Sequence, residues 1–72
     1  MDIQKQIGLR IKGLRMKKGL SQERLALIAG LDRTYITTVE NGKRNISIVN
    51  IEKISNALNL SLKEFFNNDW KK

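Results

Sequence analysis

Apolar residues in this chain recur at spacings of three and four, the period at which one face of an α-helix returns. Ile3, Ile7, Ile11 and Leu14 fall on one stripe, with Lys5, Lys12 and Lys17 away from it. Proline is absent, and no long stretch alternates β-branched with polar residues, so the pattern predicts helices throughout. Gly8 and Gly13 interrupt the first segment. Each weakens a helix by about 1 kcal/mol relative to alanine, so both are expected where another element packs closely. Gly19, after Lys17-Lys18, is expected to end this helix in the left-handed conformation.

Four more helices follow by the same signals. Ser21 is an N-cap for a short helix with Leu25, Ala26, Ile28 and Ala29, and Gly30 stops it. Asp32 is expected to cap a third helix through Tyr35, Ile36 and Val39 to Asn41, closed by Gly42. Lys43-Arg44-Asn45 reads as a basic loop. Ser47 or a neighbour starts a fourth helix carrying Ile48, Ile51, Ile54 and Leu58, and Ser61 caps a last short one with Leu62, Phe65 and Phe66. The expected fold is all-α, a single five-helix domain over residues 1–72.

Helix two, the Gly30 turn and helix three carry the informative pattern. Two short helices crossing steeply at a glycine turn form the helix-turn-helix unit. With Gln22 as its first position, the crossing needs a small residue, and Ala26 stands there. The turn needs a residue that accepts positive φ, and Gly30 supplies it. Leu25, Leu31, Ile36 and Val39 fall where the shared interior must be filled. Arg33, Thr34, Tyr35, Thr37, Thr38, Lys43 and Arg44 are left for the exposed face and its flank, and most of them are hydrogen-bond donors. Glu40 is the one acid of this helix after its cap, and it is expected to pair internally with Arg15.

Composition narrows the function. The 72 residues carry 14 Lys and Arg against 7 Asp and Glu, a net charge of +7. The first 44 residues hold +6 of it and the last 28 only +1, as expected if the front half faces a polyanion. Cysteine and histidine are both absent, which removes the usual nucleophile, general base and metal ligands. No catalytic site, metal or cofactor is expected. No apolar run approaches the roughly 18–20 residues of a membrane span, and the N-terminus lacks a signal peptide's apolar core. A cytoplasmic binding module is the expectation.

From Ile7 to Phe66 the chain resembles the Cro/C1-type (Xre-type) family of bacterial and phage helix-turn-helix regulators. The resemblance rests on Leu14-Arg15, Gly19-Leu20-Ser21-Gln22-Glu23, Leu25-Ala26, Ala29-Gly30-Leu31, Val39-Glu40-Asn41-Gly42 and Ala57-Leu58. Leu31-Asp32-Arg33-Thr34-Tyr35-Ile36, with Glu40 and Arg44-Asn45, is similar to the controller proteins of restriction–modification systems. Thr37-Thr38 departs from the Ser-Gly that controllers often carry there. The resemblance implies a lambda-repressor-like domain that binds double-stranded DNA at tandem operators near its own gene. It also implies activation at low occupancy, repression at higher occupancy, and RNA polymerase as a further partner.

Physical roles follow for named residues. Helix three is expected in the major groove, with Arg33 bidentate to guanine and Thr34, Thr37 and Thr38 also at base edges. Gln22 at the start of helix two, Tyr35, and Lys43, Arg44 and Asn45 are expected on the DNA backbone. For Tyr35 a half-buried place beside the core is the alternative, and for Arg44 the adjacent minor groove. A two-fold homodimer is expected through roughly residues 46–70, using Ile46, Ile48, Leu60, Leu62, Phe65 and Phe66, with Trp70 nearby; the alternative for the two phenylalanines is a place in the core, expected for one of them. Two rivals stand beside this reading: a phage-type or autoregulatory repressor of the same family, and an antitoxin-like interaction module. The few residues after Phe66 count against the antitoxin, and no membrane or small-molecule partner is implied.

Overall fold

A computed structural model describes residues 2–67. Trp70 and the end of the expected 46–70 dimerisation stretch lie outside the described residues. Five helices run in order: α1 (Ile3–Lys17), α2 (Gln22–Ala29), α3 (Arg33–Glu40), α4 (Ile48–Ala57) and α5 (Leu62–Phe65). Among the described residues there is no strand.

The starts of the helices follow their caps. Ser21, Ser47 and Ser61 each accept a hydrogen bond from a backbone N–H of the first turn. Ser61 and Glu64 form a reciprocal capping box. The Ser61 backbone N–H, and secondarily its hydroxyl, hold the Glu64 carboxyl below the usual carboxylate range. Asp2, not expected as a cap, serves α1 through Lys5 N. Asp32 occupies the N-cap position of α3, but its side chain makes no capping bond, so only its backbone carbonyl, which accepts from Ile36, begins that helix.

The ends share one device. Gly19, Gly30 and Gly42 all sit at φ 71°, and Asn59 takes the same role at φ 59° after α4. In each case the next residue's N–H reaches back to a carbonyl in the last turn: Leu20 to Arg15, Leu31 to Ala26, Lys43 to Thr38 and Leu60 to Ser55, at 2.9–3.1 Å. Asparagine tolerates the left-handed region better than other side chains, which is why α4 can end without a glycine.

One core joins all five helices. Ile7, Ile11, Leu25, Ala26, Ile36, Val39, Ile51, Ile54, Leu58 and Phe65 are buried in it, with Leu14, Leu31 and Tyr35 packed at its edge. Ile3, grouped with this stripe by its spacing, is instead largely exposed at the start of α1. Of the two phenylalanines, Phe66 is exposed and Phe65 is the core one, fully inaccessible within one chain, so its place at a dimer interface is corrected. Its ring meets Phe66 edge to face with centroids 4.8 Å apart. Arg10 fastens the same turn, donating through Nε to Phe65 O and through Nη2 to Glu64 O, both at 2.9 Å.

The two helix-one glycines part company. A Cβ on Gly8 would press on the Val39 carbonyl oxygen and lie 2.7 Å from that of Glu40, so α1 and α3 meet backbone to backbone there. Gly13 has open space around it, so close packing does not explain that residue. Gly13→Ala is expected to stabilise the fold by up to about 1 kcal/mol through helix propensity. Gly8→Ala is expected to destabilise it, because the roughly 1–3 kcal/mol of overpacking outweighs that gain. Urea unfolding of the two variants checks both signs.

Candidate nucleic-acid interface

The inner side of α3 is tied down before its outer side can present anything. Ile36 and Val39 are buried between α1 and α2, and Glu40 is buried with them. Glu40 would be costly there without partners. Arg15 supplies a two-pronged pair: Nε donates to Oε2 at 2.7 Å and Nη2 to Oε1 at 3.0 Å. The third nitrogen, Nη1, donates to Leu20 O at 2.7 Å, so the guanidinium also holds the α1–α2 turn. The hydrogen bond to Glu40 pushes the Arg15 guanidinium above its already high ordinary value, against the opposing cost of burial. The expected internal pair is present, and it is the only ion pair among the described residues.

Gln22 extends this network outward. Its Nε2 donates to Glu40 Oε1 at 3.0 Å, and its Oε1 accepts from Thr37 Oγ1 at 2.9 Å. The side chain expected on a DNA phosphate therefore links the buried carboxylate to the outer face of α3. What remains for a phosphate is the backbone N–H of the first turn of α2. Sequence spacing shows that Gln22 begins α2, but not that its amide is spent on two other helix-borne side chains.

The outer face of α3 carries Arg33 and Thr34, both exposed, with Thr37 and Thr38 half-buried, and Asn41 is exposed at its C-cap. The Arg33 guanidinium has no hydrogen bond or ion pair among the described residues. The Thr37 hydroxyl also lies 3.1 Å from Arg33 O, an alternative acceptor within its own helix. The Thr38 hydroxyl faces Thr34 O and Tyr35 O at 3.1 and 3.0 Å, so in this state its hydrogen is spent on backbone and its methyl is the group left to offer.

Tyr35 takes the half-buried place beside the core, and its hydroxyl accepts from Asn50 Nδ2 at 3.0 Å. The Arg44 guanidinium lies over its ring, 4.7 Å from the centroid. Lys43, Arg44 and Asn45 form an exposed loop after α3, and Gln4 of α1 donates to Asn45 Oδ1. Arg33, Thr34, Thr37, Asn41 and this loop thus share the α3 side of the molecule.

The α4–α5 end is different in character. Ile48 is 70% exposed, and Val49, Leu62 and Phe66 are exposed as well. Ile46 and Leu60, also expected at an interface, are half-buried against the core. Ile3, Ile7, Ile46, Ile51 and Phe66 line a largely apolar groove.

Comparison with known proteins gives a consistent result. Residues 11–65 match the helix-turn-helix family HTH_3. Control protein C.MunI of Mycoplasma sp. is 52% identical over 66 residues, covering 90% of this chain and 89% of that protein. The restriction–modification controller protein C.AhdI of Aeromonas hydrophila superposes with a TM-score of 0.84 at 49% identity, over 88% of this chain and 96% of its own. The controller protein C.Esp1396I, seen as a tetramer with its natural 35-base-pair operator, superposes with a TM-score of 0.87 at 38% identity, over 92% of this chain and 87% of its own.

Proposed function

The chain belongs to the Cro/C1-type helix-turn-helix family, and from that membership we propose that it is a restriction–modification controller. In this reading it is a sequence-specific, DNA-binding transcriptional regulator that acts as a homodimer on operators near its own gene. The observation that carries the reading is the two-sided character of α3. Its inner side is fixed by Ile36, Val39 and the Arg15–Glu40 pair, while Arg33 and Thr34 stand exposed on the other. A helix held rigidly with an unpaired arginine near its N-terminus is suited to base edges in a major groove.

Arg33 reads guanine, and Thr34 and Thr37 read base edges or a thymine methyl, with Thr38 contributing its methyl. Lys43, Arg44 and the first-turn N–H groups of α2 hold the backbone, with Asn45 beside them and Tyr35 supporting Arg44 from below. The dimer forms through Ile48, Leu62 and Phe66, with Ile46 and Leu60 at its margin, setting the two α3 helices about one DNA turn, roughly 34 Å, apart. Tandem operators then allow activation at low occupancy, through RNA polymerase, and repression at higher occupancy. The family is regulatory, and no catalytic role is proposed. Among the described residues no helix is long and apolar enough to cross a membrane, and a cytoplasmic place follows from the DNA partner.

Fluorescence anisotropy with the duplex immediately upstream of the chain's own gene tests this. At about 0.15 M salt the expected affinity is some 10³-fold or more above that for a shuffled duplex of equal length. If each protomer neutralises about four phosphates, log K should fall with log[salt] at a slope of about −7. Equal affinity for the two duplexes would overturn the reading.

A further inference from the structure

Helix α1 carries five cations and no acid: Lys5, Arg10, Lys12, Arg15 and Lys17. Arg10 is spent on the carbonyls of α5 and Arg15 on Glu40 and Leu20. Lys5 and Lys12 are exposed, and neither has a carboxylate within ion-pair distance among the described residues. The nearby acid, Glu40, already has both oxygens occupied by Arg15 and Gln22.

Two glycines decide where these lysines emerge. At Gly8 the α1 backbone touches the carbonyls of Val39 and Glu40, and a Cβ on Gly42 would lie 2.9 Å from Lys5 Cα. The first half of α1 is thereby pressed against the C-terminal end of α3. Lys5 and Lys12 stand seven positions apart on the helix, about 10 Å along one face. Together with Leu9 they line a cleft whose other wall is Glu40 and Asn41. Asn41 is exposed at the end of α3, next to the Lys43-Arg44-Asn45 loop.

We propose that Lys5 and Lys12, with Asn41, form a second phosphate clamp beside α3 that holds the DNA strand bordering the groove α3 enters. The proposal rests on the DNA-binding reading and deepens it. Backbone phosphates recur every 3.4 Å of axial rise per strand, so two long lysine stems about 10 Å apart can each take a different phosphate. The Asn41 amide adds a neutral donor. The clamp fixes position on the duplex without reading sequence. It supplies two of the roughly four neutralised phosphates per protomer, with Lys43 and Arg44 supplying the others.

Lys5→Gln, Lys12→Gln and the double variant test the clamp, with Lys53→Gln on α4 as the control. Binding is measured from about 0.05 to 0.2 M salt on a duplex that the wild type prefers and on a shuffled one. In the double variant the slope is expected to drop from about −7 to about −3.5. Affinity for both duplexes should fall together, by about tenfold or more at 0.15 M salt, leaving their ratio and the melting temperature unchanged. Lys5→Arg with Lys12→Arg should keep the wild-type slope, and so should Lys53→Gln. A double variant with the wild-type slope, while the wild type still prefers its duplex, overturns the clamp alone. A double variant that loses only the preferred duplex also overturns it, because the lysines would then be acting on sequence. A wild type with no preference between the duplexes overturns the DNA-regulator reading and the clamp with it.

Discussion

Arg15→Ala is expected to cost about 3–5 kcal/mol of folding stability, the usual loss when one partner of a buried ion pair is removed. A domain of this size holds about 4–10 kcal/mol in total, so the variant should be largely unfolded near body temperature. The reason is local. Without Arg15, Glu40 keeps only Gln22 as a donor, and the Leu20 carbonyl loses its guanidinium partner. Helix α1 then loses its polar tie to the end of α3. Glu40→Ala should cost a comparable amount, because it strands the same guanidinium. The double variant Arg15→Ala with Glu40→Ala should be less destabilised than the sum of the single changes, with a coupling of about 1–3 kcal/mol. Urea unfolding of the four proteins measures this directly. Strict additivity would mean that the two side chains act independently despite their 2.7 Å contact.

Arg33→Ala carries the second large effect, and it falls on binding rather than folding. The guanidinium makes no hydrogen bond or ion pair among the described residues, so the melting temperature should hold. Loss of a bidentate guanine contact costs about 1–3 kcal/mol, so a dimer with two half-sites loses about 2–6 kcal/mol of specific affinity. Affinity for unrelated DNA should change far less. Arg33→Lys should restore charge but not the paired donors, and should recover only part of the discrimination. Competition titrations of the operator against unrelated duplex check both variants.

The chain's helices were legible because their ends carry local chemistry. Serine at positions 21, 47 and 61 and glycine at 19, 30 and 42 act within a few residues of themselves, and each does what its type implies. Asn59 was equally available as a left-handed residue, and its place after Leu58 was the signal to use. The Arg15–Glu40 pair was legible because Glu40 is the one acid of helix three after its cap, and Arg15 stands near the end of helix one. Phe65 and Phe66 were not separable, since a helix of four residues has too little periodicity to say which ring turns inward. Gly8 and Gly13 likewise look alike in sequence, and only the position of the α3 carbonyls distinguishes them. Gln22 and Thr38 show the same limit at the interface. Their residue types suit DNA, yet their hydrogen bonds within the chain depend on which neighbours the packing delivers.

Charge points to the front half as the one that meets DNA, but not to the individual contacts. The +6 of the first 44 residues includes Arg10 and Arg15, which the fold spends internally. Lys5 and Lys12 stay available by virtue of geometry rather than composition.

Selection of bound duplexes from a random DNA pool at about 0.15 M salt, followed by sequencing, tests the central claim most directly. Two rigidly placed α3 helices should recover an inverted repeat with half-site centres one helical turn apart, roughly 10–11 base pairs. Enrichment of no sequence, despite salt-sensitive binding, would contradict the claim and leave the +7 charge as a source of non-specific affinity alone.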